Sequence, residues 1–135
     1  MSNKNTTLCH RWFEQVWNQG REQAIDEMFD TNGIAHGITD ENSPKGVEGF
    51  KSFYKDFRTQ FSNIHITLDD VVCEEDIETA RCTVNATHTD SGKDVNFKGI
   101  SMVRVKDGKI IEAWNHFDFL DLYQQLGHTL LPPQA

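Results

Sequence analysis

Arg104, Glu112, Trp114, His116 and Asp118 bring a guanidinium, two carboxylates, an imidazole and an indole into one short stretch. In a water-poor site such groups could move a proton on the carbon beside a carbonyl. A carboxylate or imidazole would act as general base, and a fixed cation would steady the developing enolate oxygen. That chemistry needs the groups on one surface. Positions 112, 114, 116 and 118 have strand spacing, and Met102 and Arg104 belong to the alternating run before them. Between the runs, Lys106-Asp107-Gly108 predicts a hairpin with a three-residue loop, a type I turn closed by a left-handed Gly108. Val105 then opposes Lys109, and Met102 and Arg104 share the face of Glu112, Trp114, His116 and Asp118. A two-residue Asp-Gly turn would put Arg104 on the opposite face, since one residue of slip moves every side chain across the sheet.

Each group also has a plain structural role. Asp118-Phe-Leu-Asp121 reads as the start of a helix, where an Asp N-cap contributes about 1 kcal/mol. If Asp118 instead faces an apolar cavity, desolvation raises its pKa towards a range useful for proton transfer. His116 could relay a proton or simply hydrogen-bond a neighbour, and Arg104 could hold a substrate oxygen or pair with Glu112. His36, on a short strand between small residues, is expected to point into the cavity. His88 ends an apolar strand face, as core histidines do. Trp17, Phe57 and the other aromatic residues at helical spacing are core or pocket lining.

The elements that must position these groups follow from periodicity. Thr6 or Thr7 caps a first helix with Cys9, Trp12, Phe13, Val16 and Trp17 as its stripe, stopped at Gly20. A short second helix buries Ala24, Ile25, Met28 and Phe29. Asp30–Gly33 is a turn, residues 34–38 a short strand, and a third helix runs from about Val47 to Phe61 with a Phe/Tyr stripe. From Ile64 the period becomes alternating, through hairpin-linked strands, until a last short helix with Phe119, Leu122, Tyr123 and Leu126; residues 129–135 form an extended tail. Helices first and antiparallel strands after predict one α+β domain over residues 1–135, its helices roofing a curved sheet with a pocket at the open end. The hairpin's other face, Ser101, Val103, Val105, Ile111, Ala113 and Phe117, is expected to make a homodimer through the sheet.

The 135-residue chain carries a net charge of −8. It has no basic patch for nucleic acid or an anionic membrane. The acidic cluster from Asp69 to Glu78 reads as a solvated hairpin end. No run reaches membrane-spanning length, and the polar N-terminus lacks the apolar core of a signal peptide, so a cytoplasmic location is expected. Cys9, Cys73 and Cys82, an odd number among apolar neighbours, are reduced thiols in this reading. No metal-ligand spacing and no phosphate loop is present, so chemistry without metal or cofactor is expected.

Trp17-Asn-Gln-Gly20, Ala24-Ile-Asp-Glu-Met28-Phe29 and His36-Gly37 resemble the opening of SnoaL-like polyketide cyclases. Thr87-His88-Thr89, Phe97-Lys-Gly-Ile100, Arg104-Val-Lys-Asp-Gly-Lys-Ile110, Glu112-Ala-Trp114, Asp118 and Gln124-Gln-Leu-Gly127 continue the resemblance over nearly the whole chain. It implies the nuclear transport factor 2-like fold, a cone-shaped α+β barrel with a deep pocket, commonly dimeric through the sheet. It further implies cofactor-free ring closure of a polyketide ester by aldol condensation, with Asp118 at the position of the acid/base Asp and Met102 and Arg104 lining the pocket beside it. Asp90-Ser-Gly-Lys93 replaces the family's longer Gly/Pro-rich segment, which implies a reshaped pocket mouth. The reading reached is a small cofactor-independent enzyme acting on an apolar, oxygenated ring compound. Asp118, His116 and Arg104 are its candidate catalytic residues. His36, His88, Met102, Trp114, Trp17 and Phe57 are its candidate binding residues. A non-catalytic binder of hydrophobic molecules, or an isomerase or dehydratase on the same fold, is the alternative.

Overall fold

A computed structural model describes residues 7–39 and 42–133. Leu8, Cys9 and Trp12 form the buried stripe of α1 (Leu8–Trp12). The Thr7 hydroxyl caps it, accepting from the His10 N–H at 3.1 Å; Thr6 lies outside the described residues. Glu78, expected in a solvated hairpin end, instead accepts from the backbone N–H groups of Cys9 at 2.8 Å and Leu8 at 3.4 Å. Its carboxylate thus closes the positive end of the helix. The chain continues into a wider π-helical turn, Phe13–Asn18, that buries Phe13, Val16 and Trp17. The Tyr54 hydroxyl donates to the carbonyl of Val16 at 2.9 Å in the interior.

Next come α2 (Gln23–Met28), β1 (Phe29–His36) and α3 (Val47–Gln60). β1 is longer than expected and absorbs the predicted turn at 30–33. Phe50, Tyr54 and Phe57 form the buried stripe of α3. Then follow β2 (Phe61–Glu74), β3 (Ile77–His88), β4 (Asp94–Lys106), β5 (Lys109–Phe117) and α4 (Phe119–Gln125). The five strands make a curved, unclosed sheet in the order β1-β5-β4-β3-β2. Neighbours pair antiparallel except β1, which lies parallel to β5. No helix among the described residues is long and apolar enough to cross a membrane.

The β4–β5 turn has two central residues, with Lys106 paired to Lys109 and both Asp107 and Gly108 at positive φ. This is the arrangement that matches strand twist, and it replaces the expected three-residue loop. The extra residue sits further along: Val105 pairs with Ile110 and Arg104 with Glu112, leaving Ile111 as a bulge. The bulge restores the predicted sharing of faces by Met102, Arg104, Glu112, Trp114 and His116. The face they share, however, is the outer one. Ser101, Val103, Ile110 and Ala113 are buried, whereas Ile100 and Met102 are exposed. Apart from the bulged Ile111, whose place Ile110 takes, the row expected to form a dimer interface is therefore the inner wall. Small residues face inward because the helices already fill the concave side with rings. Gly99 shows how tight the wall is, since a Cβ there would lie 2.4 Å from the Phe117 ring.

Two side-chain amides fasten helices to unpaired sheet backbone. On edge strand β2, Asn18 accepts from the Ile66 N–H at 2.7 Å and donates to its carbonyl at 3.0 Å. On β4, beyond the end of β5, Gln125 accepts from the Asn96 N–H at 3.1 Å and donates to its carbonyl at 2.6 Å. Asn18→Asp deletes both N–H donors, to the Ile66 carbonyl and to Glu14, and sets a carboxylate against a carbonyl and a second carboxylate, a cost of about 1–3 kcal/mol. Calorimetry should show the melting temperature lowered by about 5–10 °C; an unchanged melt would mean the clasp contributes nothing.

All three thiols are free, with Cys9 and Cys82 buried and Cys73 exposed. Burial pushes the Cys82 thiol up from 9.0 to about 12, with Asp69 adding to the shift. Burial, with help from Glu78, raises Cys9 as well. Above the ordinary thiol pKa of about 8.5, an unfolded chain sheds protons that the native chain keeps. Stability should therefore be full below that pH and fall as pH rises towards the folded values. Denaturant titrations between roughly pH 9 and 11 should show this decline, shallower in Cys82→Ala; an equal slope in the variant would contradict it.

Candidate functional site

Between the aromatic helices and the concave sheet lies an apolar slot. Trp12, Phe13 and Trp17 line it from the first helix and its π-helical turn, and Phe50, Phe53 and Phe57 line it from α3. The sheet contributes Ile66, Val84, Phe97, Asn115 and Phe117, while Ile38 and Phe119 complete the wall. Trp17 packs its edge against Tyr54 at 5.0 Å and Phe57 at 5.7 Å between ring centroids. The slot is narrow, with room for a few waters or one closely fitted flat group between its rings. A wider vestibule adjoins it, bounded by Gly37, Thr39, Asp56, Gln60 and Tyr123. Ile38, Phe53, Phe57 and Phe119 belong to both spaces and form the neck between them.

One polar wall residue stands out. Asn115 Nδ2 donates to the His36 carbonyl at 3.0 Å, and its Oδ1 accepts from the Ser101 hydroxyl, also at 3.0 Å. Gly37 lets the two strands close at this point: its φ is +88°, and a Cβ would sit 1.9 Å from the Asn115 carbonyl oxygen. Neither Asn115 nor Ser101 was among the expected site residues. The usable signal was parity, because both alternate with Val103, Ala113 and Phe117 on the buried side of their strands. Phe53 sits one position off the predicted stripe of α3, and Phe119 opens α4.

Of the predicted binding residues, Trp17 and Phe57 line the slot. Met102, Trp114, His116, Arg104 and the His36 side chain lie on the outer sheet face, which corrects their expected place on the pocket wall. There the His36 ring stacks on Trp114 at 5.7 Å and its Nε2 donates to Glu112 at 2.7 Å. Arg104 pairs with Asp76 at 2.9 Å, not with Glu112. These side chains face away because Ser101, Val103 and Ala113 occupy the inner parity of the same strands. His88, half-buried at the end of β3, packs on Phe61 and shares a 2.8 Å hydrogen bond with Ser91, outside the slot lining. Asp118 is the N-cap of α4, accepting from the Asp121 N–H at 3.0 Å with its side chain exposed. It sits between Phe117 and Phe119, both in the slot wall. Among the described residues, no three His, Cys, Asp or Glu side chains gather as metal ligands.

The family described as SnoaL-like polyketide cyclase matches residues 7–126 of this chain. A candidate polyketide cyclase of known structure from Bacillus cereus ATCC 10987 is 36% identical, with 89% of this chain and 78% of that one covered and a TM-score of 0.78. IdmH from Streptomyces antibioticus, also a candidate polyketide cyclase, is 21% identical, with coverage of 93% and 100% and a TM-score of 0.78. AclR from Streptomyces galilaeus, a candidate hydroxylase, is 22% identical over 94% of this chain and 87% of that one, with a TM-score of 0.76. The last two are likenesses of fold. No curated protein matches the chain.

Proposed function

The chain belongs to the SnoaL-like polyketide cyclase family, and on that footing we propose that it binds an apolar, oxygenated ring compound and moves a proton α to its carbonyl. Asp118 acts as the base, and no metal or cofactor takes part. The observation that carries this reading is where Asp118 stands. Phe117 and Phe119 on either side of it line the slot, which sets the exposed Asp118 carboxylate beside the slot wall. One carboxylate oxygen serves the helix cap, and the other accepts nothing among the described residues. The neck selects flat, apolar groups, and the wider vestibule takes whatever part of the molecule stays outside. A second reading, a binder without chemistry, draws on the exposure of Asp118 and its service as a cap.

The two readings part on proton exchange. With 2-tetralone in deuterated buffer, followed by NMR, the wild type should speed exchange at the α carbon by about a hundredfold or more over buffer. Asp118→Asn should lose that acceleration while keeping its melting temperature, because Asn caps a helix about as well as Asp. Binding of 2-tetralone with no accelerated exchange would favour the binder. Equal exchange by both proteins would remove Asp118 from the chemistry.

We further propose that two copies associate through the outer sheet face. His36, Trp114, Met102, Thr79 and Val72 stand in register across all five strands. Val72, Ile34, Ile100 and Met102 expose 67, 49, 48 and 40% of their surface, an apolar field of the kind partners cover. A cytoplasmic location, where three free thiols stay reduced, goes with this reading. Sedimentation at micromolar concentration should give twice the 15.5 kDa chain mass, with Met102→Lys shifting the population to monomer. A wild type sedimenting as a single chain would refute the association.

A further inference from the structure

We infer that Asn115 anchors the ligand's oxygen: its side-chain amide holds the carbonyl of a ring ketone inside the slot. This rests on the slot being the binding site, as proposed above. Apart from the indole N–H groups of Trp12 and Trp17, Asn115 supplies the only polar side-chain atoms in the slot lining among the described residues.

The orientation of its amide is determined by its partners. The His36 carbonyl can only accept, so Nδ2 faces it and Oδ1 faces the Ser101 hydroxyl, which donates. Ser101 is only 2% exposed, so its hydroxyl has little water to turn to. A carboxamide carries two N–H donors and two acceptor lone pairs. Each neighbour takes one, leaving one N–H and one lone pair for whatever enters the slot. Asn115 is half-buried among rings and aliphatic side chains, where a ketone oxygen would give that N–H a partner. Because two hydrogen bonds already hold the amide, little reorientation is needed when the ligand arrives.

Asn115 therefore occupies the role first expected of Arg104, whose guanidinium is engaged with Asp76 on the outer face. Asn115 is three residues from Asp118 along the chain. With the carbonyl on the amide, the carbon beside it is the one that the base proposed above would deprotonate. Proton removal there leaves charge on the oxygen that the amide N–H already contacts. Asn115 is thus a binding residue with preference for a carbonyl over bare hydrocarbon, and Ser101 is its positioning residue.

Calorimetric titration with 1-indanone and indane tests this. The wild type should bind 1-indanone about threefold to tenfold tighter than indane. Asn115→Leu keeps a comparable volume without the amide; it should retain indane and bring the ratio to about one. Ser101→Ala leaves the His36 contact and releases the other side of the amide, so its ratio should fall between these values. Equal affinities in the wild type, or a ketone preference that survives Asn115→Leu, would overturn the assignment. If Asn115→Leu does not fold, an undiminished ratio in Ser101→Ala does the same. Failure of both compounds to bind the wild type is a different result: it overturns the slot as binding site, and this inference with it.

Discussion

Backbone groups left without a strand partner are the constraint on which this architecture turns. β2 is an edge, and β4 runs past the end of β5. The exposed N–H and C=O groups at such places must be satisfied or hydrated. Asn18 and Gln125 each present an amide to a single residue, donating and accepting as a neighbouring strand would. Each is anchored on its own helix, by Glu14 in one case and Asp121 in the other. The helices are thereby tied to particular rungs of the sheet. A hydrophobic face alone would allow them to slide, since burial is not directional. With the π-helical turn and α4 tied, and α3 held to Val16 through the Tyr54 hydroxyl, the rings of α1, the turn and α3 meet above the concave face and enclose the slot.

Much of the architecture was legible because it rests on local periodicity. The stripes of α1, α2, α3 and α4, the switch to alternation by Ile64 and the hairpin order all follow from spacing. Resemblance added the family and the fold type. What was not legible was which side of β4 and β5 faces in. Trp114, Met102 and Ile100 are the larger apolar residues, and size alone points them inward. They lie outside because Phe50, Phe53, Phe57, Trp12 and Trp17 come down from the helices and leave space only for Ser101, Ala113 and Val103 opposite. Inner volume is shared between layers, and a strand read by itself does not reveal its share. The bulge at Ile111 was hidden for a related reason. Asp107-Gly108 is compatible with two turn geometries, and the one adopted depends on where the sheet can absorb an extra residue.

The reversal changes what the polar residues mean. His36, Glu112 and Trp114 form a mutually satisfied group on the outer face, and Arg104 has Asp76. Inside, a less conspicuous pair, Ser101 and Asn115, meets the slot. Asp118 is the cap of α4 and stands between two slot-lining phenylalanines; the base role proposed for it would use the carboxylate oxygen that the cap leaves over. Family membership accommodates this variety, since a fold of this kind hosts more than one chemistry.

The strand order also bears on how the chain assembles. β2 through β5 form an unbroken meander in which every partner is the next strand along, so loop closure is short at each step. β1 differs: its only partner is β5, at the far end of the sequence. On a ribosome, Trp12, Trp17 and Phe29 emerge long before the strand that will let β1 dock. The docking of β1 must wait for nearly the whole chain to be made, although the rings before it can already meet those of α3. Nascent chains stalled before Lys109 would therefore carry the ingredients of the slot without its closure, and they are the species a chaperone would be expected to hold.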